Sequence, residues 1–144
     1  MAPKTLIVGG GIGGLTAAIG LIRVGHTVDV VEQSSVLTAV GAGITIQANA
    51  TAIFDALGID LPSEDIGPIG YFEMVNRAGK RLMSGDPADA GVDFPSVNIH
   101  RADLQSALLS CLEARGGAIQ LGRKVVAVDP APDGGQVEVE FAGG

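Results

Sequence analysis

The stretch Leu6-Ile7-Val8-Gly9-Gly10-Gly11-Ile12-Gly13-Gly14-Leu15 decides the fold of this 144-residue chain. Its short apolar run leads straight into glycines, which is typical of a buried strand that ends in a tight turn. Gly9, Gly11 and Gly14 give the spacing G-x-G-x-x-G. The first glycine of that pattern permits the sharp turn, the second lets the backbone approach a phosphate, and the third allows close packing of helix on strand. The stretch therefore predicts a strand, a phosphate-binding turn and a helix.

The residues that follow complete a βαβ unit, which we place at residues 4–32. Apolar residues adopt helical spacing from Leu15 to the terminator Gly25, and a second strand runs from Thr27 to Val31. Glu32 ends that strand, where its carboxylate can accept hydrogen bonds from ribose hydroxyls and would repel a 2′-phosphate. The unit predicts binding of the ADP half of a dinucleotide and disfavours NADP in this pocket. The predicted contacts at the turn are Gly9, Gly11, Ile12, Gly13 and Gly14.

The rest of the chain predicts more α/β structure. A second helix is expected to start at an N-cap on Asn49, to carry Ile53, Ala56 and Leu57 on one apolar face, and to stop at Gly58. A hairpin excursion is expected at about 69–84, a loop at 85–96, and a third helix with strands at about 101–141. The predicted fold class is α/β: a Rossmann-type βαβ with a small β hairpin or meander. Its parallel sheet is built from strands near 5–8, 27–31 and 118–121.

Composition excludes several classes of function. The formal net charge is −7, with 16 acidic residues against nine Lys and Arg, so a nucleic-acid partner is disfavoured. Cys111 is the single cysteine, which excludes an internal disulfide and a cysteine zinc site, and we expect no metal. The apolar stretches are too short and too rich in glycine to span a membrane, and no signal-peptide pattern is present. A cytoplasmic location is therefore the default expectation.

Two further segments make the sequence resemble a known family. Gly41-Ala42-Gly43-Ile44 and His100-Arg101-Ala102-Asp103-Leu104 follow the first segment in an order and spacing similar to those of the group A FAD-dependent aromatic hydroxylases. This family includes salicylate-, hydroxybenzoate- and urate-hydroxylase-like monooxygenases. The resemblance implies FAD as cofactor, NADH or NADPH as reductant, and hydroxylation of an aromatic or similar small molecule.

The resemblance also implies site residues beyond the turn. It places Gly43 near the flavin side of FAD and Arg101 near its ribityl and phosphate portion. Gln33, next to Glu32, stands where many relatives carry Arg, so one basic contact to the cofactor is expected to be missing. On the residues alone, Gly43 reads equally well as part of a surface turn. Arg101 alone is more typical of a solvated arginine at a helix end.

Three functions stay open at this point. The first is the FAD-binding portion of a monooxygenase, the second a non-catalytic dinucleotide-binding module or split-enzyme fragment, and the third an NAD-binding dehydrogenase domain. Glu32 fits the third equally well, but the long excursion through 41–96 argues against it. No residue is predicted to be catalytic, and Gly85-Asp86 and Asp133-Gly134 are interpreted as loop residues rather than family motifs.

Chain length adds one expectation about association. The resemblance runs end to end, yet it covers less than half of a typical family member, so we expect a chain that is truncated relative to the family. An incomplete parallel sheet leaves an edge or an apolar face open, and such edges template pairing. Self-association or strand swapping is therefore expected of the isolated chain.

Overall fold

A computed structural model describes residues 2–37, 42–62, 66–86, 89, 91, 93–130 and 135–143. The helices are α1 (Ile12–Arg23), α2 (Ala48–Leu57) and α3 (Arg101–Ala114). The strands are β1 (Lys4–Val8), β2 (Thr27–Val31), β3 (Gly43–Ile46), β4 (Gly67–Pro68), β5 (Phe72–Val75), β6 (Arg81–Gly85), β7 (Val97–His100), β8 (Ala118–Gln120), β9 (Val125–Pro130) and β10 (Val137–Phe141). The chain divides into two compact units, Met1–Thr38 with Leu108–Gly144, and Ala39–Ala107.

The first unit is built on a parallel sheet in the order β1-β2-β8, which confirms the predicted α/β fold class. Leu6 lies beside Asp29 in the register of β1 and β2, and Val30 lies beside Ile119 in that of β2 and β8. Helix α1 connects the parallel strands β1 and β2 and packs on both of them. The core residues of this unit with 8% exposure or less are Leu15, Ala18, Ile19, Val28, Val30, Val31, Leu108 and Leu112.

Helix α1 begins earlier than the apolar spacing alone indicates, at Ile12, and Gly11 is its N-cap. Gly25 follows its end with φ of +92°, in the left-handed region that glycine adopts most easily. The three apolar residues that face the sheet are fully buried, because they recur at spacings of three and four. They are Leu15, Ala18 and Ile19.

The second unit contains an antiparallel sheet in the order β3-β7-β4 that the sequence analysis did not anticipate. Strand β7 follows the predicted loop directly, and its residues alternate between buried and exposed, with Val97 and Ile99 inside. Its partners are β3, with Ile44 beside Ile99, and the two-residue β4. A four-residue strand carries too little pattern to be separated from the loop before it.

Helix α2 corrects two expectations. Asn49 is not its N-cap: the helix starts at Ala48, and the Ala48 N–H donates to the Ser96 hydroxyl oxygen at 3.1 Å. Because the capping group comes from a distant segment, local sequence could not indicate it. The buried face is also different, with Thr51 and Phe54 inside and Ile53 exposed by 52%. Gly58 ends the helix, as predicted, and it adopts the left-handed conformation.

Two antiparallel hairpins complete the described structure. Strands β5 and β6 pair as predicted around the Asn76–Gly79 turn, and Gly85 lies in β6 opposite Phe72 rather than in a loop. Strands β9 and β10 pair in the first unit, and the residues Asp133-Gly134 between them lie outside the described residues. Within the described part of the chain, no helix is long and apolar enough to cross a membrane.

Candidate functional site

In the turn between β1 and α1, the conformation and packing of the backbone require glycine at two positions, whether or not a ligand is bound. Gly9 has φ of +110°, and its N–H donates to the Val31 carbonyl oxygen at 2.8 Å, which ties the turn to β2. A Cβ on Gly14 would lie far closer than 3.0 Å to the Gly9 carbonyl oxygen. A side chain at either position would therefore distort the turn or push the helix away from the strand.

Gly11 and Gly13 have no such reason within the described residues. A Cβ built on either one meets no atom within 4 Å, and neither residue has a positive φ. The backbone N–H groups of residues 11–14 donate to no acceptor among the described residues, as expected at the start of a helix. The turn thus offers an open surface of unpaired donors at the positive end of the α1 dipole, which is a ready-made anion site.

The carboxylate of Glu32 is fixed beside this surface. It accepts a hydrogen bond from the Gly10 N–H at 2.8 Å through Oε2 and one from the Ser34 N–H at 2.8 Å through Oε1. These bonds, that of Ser34 first, hold the pKa of Glu32 below its ordinary value of 4.5. Each oxygen keeps further acceptor capacity, so the ionised carboxylate can also bind hydroxyl groups. Gln33 follows on the exposed surface.

Gly10 is packed tightly between the turn and the sheet. A Cβ on it would overlap the Ile119 Cδ1 atom and would lie 3.2 Å from the Glu32 Cβ. The sequence pattern leaves this position open, as an x between two motif glycines. The sequence analysis therefore did not identify Gly10 or Ser34 as part of the site. For Ser34, the available signal was its position two residues after Glu32.

The other two predicted site residues, Gly43 and Arg101, lie in the second unit. Gly43 is the first residue of β3 and pairs with His100, the last residue of β7. Arg101 begins α3 directly after His100 and is exposed. The structure thus brings Gly43 and Arg101 to the same end of one antiparallel strand pair. Gly41 of the same motif lies outside the described residues.

Among the described residues, neither histidine belongs to a group that could hold a metal ion. His26 Nδ1 is 2.9 Å from the Thr5 hydroxyl oxygen and joins the end of α1 to β1, a structural contact. His100 is exposed at the end of β7. Among the residues that the structure describes, no group of three or more His, Cys, Asp or Glu side chains could hold a metal ion.

Comparison with protein families and curated relatives gives one consistent result. The model of the family described as "FAD binding domain" matches residues 3–143. The aurachin C monooxygenase/isomerase of Stigmatella aurantiaca is 37% identical over 132 residues, which are 90% of this chain and 34% of that protein. The 3-amino-4-hydroxybenzoate 2-monooxygenase PtmB3 of Streptomyces platensis is 33% identical over 147 residues, covering 99% of this chain and 36% of the relative.

Solved structures agree with this result. A variant of 2-methyl-3-hydroxypyridine-5-carboxylic acid oxygenase superposes with a TM-score of 0.78 and 30% identity, over 97% of this chain and 36% of that one. Klebsiella pneumoniae HpxO, solved with FAD and uric acid, superposes with a TM-score of 0.79 and 26% identity over 99% of this chain and 36% of that one. The chain therefore spans about a third of the length of the relatives that it matches.

Proposed function

Since this chain belongs to the FAD-binding domain family of flavin-dependent monooxygenases, we propose that its first unit holds the ADP half of FAD at the start of α1. In this proposal the N–H groups of residues 11–14 donate to the pyrophosphate, and Glu32 accepts hydrogen bonds from the adenosine ribose. Gln33 adds a neutral side chain beside that carboxylate. When bound, FAD supplies the redox and oxygen chemistry, and the protein positions and shields it.

One observation carries this proposal: the surface at Gly11 and Gly13 is open although nothing in the described chain requires glycine there. Glycine costs a helix up to about 1 kcal/mol relative to alanine, so Gly13, in the first turn and without an internal reason, points to a ligand, and Gly11, the N-cap, leaves the same surface open beside it. A pyrophosphate fits because the same turn presents unpaired N–H donors. The neighbouring carboxylate of Glu32 can accept hydrogen bonds from ribose hydroxyls. The residues present therefore fit the ADP half of the cofactor.

We also propose that Gly43 and Arg101 meet the flavin side of FAD, as the family resemblance implies. Arg101 is exposed and begins α3, so its guanidinium is accessible to a phosphate or a ribityl hydroxyl. An arginine at a helix start opposes the helix dipole, which makes an anionic partner the natural reason for it. A Cβ built on Gly43 would make no close contact, since its nearest neighbour would be the Ile99 carbonyl oxygen at 3.9 Å.

For the whole protein we propose an NADH- or NADPH-dependent monooxygenase that hydroxylates an aromatic or similar small molecule. Its relatives support this class, since one is a 3-amino-4-hydroxybenzoate 2-monooxygenase and another is a 3-hydroxybenzoate 6-hydroxylase of Polaromonas naphthalenivorans. The second of these is 37% identical over 77% of this chain. The same relatives favour this function over an NAD-binding dehydrogenase domain or a non-catalytic module.

The test is the visible absorption spectrum of the purified chain before and after addition of FAD and gel filtration. We expect flavin bands that stay with the protein, and ADP binding by calorimetry. Gly11→Ala should abolish both signals, while the control Gly70→Ala, also in open space and without a positive φ, should preserve them. ADP binding without retained flavin would support the non-catalytic module instead. If Gly11→Ala retains both flavin and ADP binding, the assignment of the turn as the phosphate site is wrong.

We further propose that the isolated chain self-associates. Strands β1 and β8 each pair on one side only within the described residues, and several large apolar side chains of the hairpins are exposed. In β9 and β10 these are Val126, Val128 and Val137, each exposed by more than half. Light scattering at high protein concentration is expected to give a mass above that of the monomer, and Val128→Lys is expected to reduce it. A monodisperse monomer would overturn this proposal.

A further inference from the structure

The connection between β8 and β9 touches the turn that carries Glu32. The Arg123 N–H donates to the Glu32 carbonyl oxygen at 2.8 Å, and the Gly122 N–H donates to the Ser34 carbonyl oxygen at 2.9 Å. On the other side, the Glu32 N–H donates to the Gln120 carbonyl oxygen at 2.9 Å. The backbone on both sides of the Glu32 side chain is thus held by one short segment, residues 120–123.

The side chain of Arg123 is fixed by stacking. Its guanidinium carbon lies 4.0 Å from the centroid of the Phe141 ring, in β10. Its Nε is buried and has no hydrogen-bond partner within the part of the chain that the structure describes, so stacking on the ring is the contact that orients this end of the side chain. The Ala142 N–H also donates to the Lys124 carbonyl oxygen at 2.8 Å. The end of β10 therefore holds the 122–124 segment in place.

We propose that Arg123 is a positioning residue for the carboxylate of Glu32, and that Phe141 fixes Arg123 for this role. The carboxylate receives its bonds from Gly10 and Ser34. Ser34 is itself held through Gly122, so the segment that Arg123 anchors sets the place of one of the two donors. The consequence is selectivity: a carboxylate fixed in advance discriminates between a ribose and a deoxyribose better than a loose one, because no ordering cost is met on binding.

This inference rests on the proposed binding of the ADP half at Glu32, and its test separates the two. Calorimetry would give the affinities of ADP and of 2′-deoxy-ADP for the wild type and for Arg123→Ala, Phe141→Leu, Arg123→Lys and Glu32→Gln. We expect the wild type to prefer ADP by about tenfold or more, the range of a hydrogen bond to a charged group. In Arg123→Ala and Phe141→Leu this ratio should fall several-fold, with the affinity for 2′-deoxy-ADP nearly unchanged.

Two controls distinguish positioning from a general loss of structure. Arg23→Ala removes an exposed arginine at the end of α1 and should leave the ratio as in the wild type. Arg123→Lys keeps a cation over the Phe141 ring and should retain more of the ratio than Arg123→Ala. In the background of Glu32→Gln, Arg123→Ala should change the ratio no further, since both act on the same contact. Phe141→Leu provides the answer should Arg123→Ala fail to fold.

Each outcome decides one of the two ideas. A wild type that binds neither nucleotide, or binds both equally, contradicts the proposed role of Glu32. A wild type that prefers ADP, with the same preference in Arg123→Ala and Phe141→Leu, overturns the positioning role of Arg123 and leaves that of Glu32 intact. An equal loss of affinity for both nucleotides in these two variants also overturns it, since that is the result of a merely structural contact.

Discussion

Two neighbouring glycines of the turn should respond to alanine with opposite changes in stability. Gly13 and Gly14 are both in the first turn of α1, so alanine gains up to about 1 kcal/mol of helix propensity at each. At Gly13 the added methyl group meets no atom within 4 Å. At Gly14 it collides with the Gly9 carbonyl oxygen, which belongs to a backbone tied to β2 and cannot rotate away as a side chain would.

The magnitude of the difference follows from these contacts. Overpacking against movable side chains costs about 1–3 kcal/mol, and a backbone obstacle places Gly14→Ala at the upper end, about 3 kcal/mol. Subtracting about 1 kcal/mol of propensity leaves a net loss of about 2 kcal/mol. Gly13→Ala should instead raise the free energy of unfolding by up to about 1 kcal/mol. The two variants should therefore differ by about 3 kcal/mol.

Urea unfolding followed by far-ultraviolet circular dichroism measures this difference, since the chain has no Trp to report by fluorescence. With a slope of about 1–3 kcal/mol per molar urea, the two midpoints should lie at least about 1 M apart. The measurement belongs at a protein concentration where light scattering shows a constant mass. Midpoints that agree within error, or a Gly13→Ala that is the less stable variant, would refute the packing argument for the turn.

Three other predictions concern the acid, the flavin side and the core. The Ser34 and Gly10 N–H groups lower the folded-state pKa of Glu32, so the ionised carboxylate stabilises the fold. This contribution to the free energy of unfolding should be complete above pH 4.5 and be lost as the pH falls through the folded pKa. Unfolding of the wild type and of Glu32→Gln at a series of pH values measures the contribution as the difference between the two proteins. Arg101→Ala should weaken FAD binding about tenfold by calorimetry and ADP binding by less, because ADP lacks the ribityl chain and the flavin, and an equal loss of both would contradict its place on the flavin side. Leu112→Ala, at a site with 0% exposure, should cost about 2–5 kcal/mol in urea unfolding, and a cost below about 1 kcal/mol would contradict its place in the core.

The parallel part of the fold could be predicted because its signals are local. Val28 to Val31 are β-branched or apolar around one Asp, and the glycine turn fixes where α1 must begin. The family matches then confirm the resemblance to the FAD-dependent hydroxylases that three short segments indicated. Strand β7 and the cap of α2 could not be predicted, because both depend on partners that are distant in the sequence. Val97 of β7 pairs with Ile46, and the Ala48 N–H donates to the Ser96 hydroxyl oxygen.

Val137, at the start of β10, marks another limit of prediction from the sequence pattern. The alternation of Val137 and Val139 with two glutamates predicts one buried and one solvated face, yet Val137 is exposed by 55%. A period of two reports which residues share a face of a strand, but the neighbouring residues decide whether that face is covered. The alternation therefore holds for Val139 and Phe141, which are half-buried between exposed glutamates, and fails at Val137.

The glycine motif itself divides differently from its usual description once packing is known. G-x-G-x-x-G names Gly9, Gly11 and Gly14, but the backbone alone requires only Gly9 and Gly14, whereas Gly10 packs against the Ile119 side chain and Gly11 and Gly13 are the glycines for which we propose a ligand. The Gly10 N–H also bonds the carboxylate of Glu32, so the close packing that demands glycine there fixes the acid next to the phosphate surface. In the proposed site, one turn therefore sets the distance between the phosphate donors and the ribose acceptor before any ligand binds, and such preorganisation lowers the cost of binding. A substitution at Gly10 should consequently displace Glu32 and impair ribose recognition, whereas Gly11→Ala should impair phosphate binding with a change in stability no larger than that of a helix cap, about 1 kcal/mol.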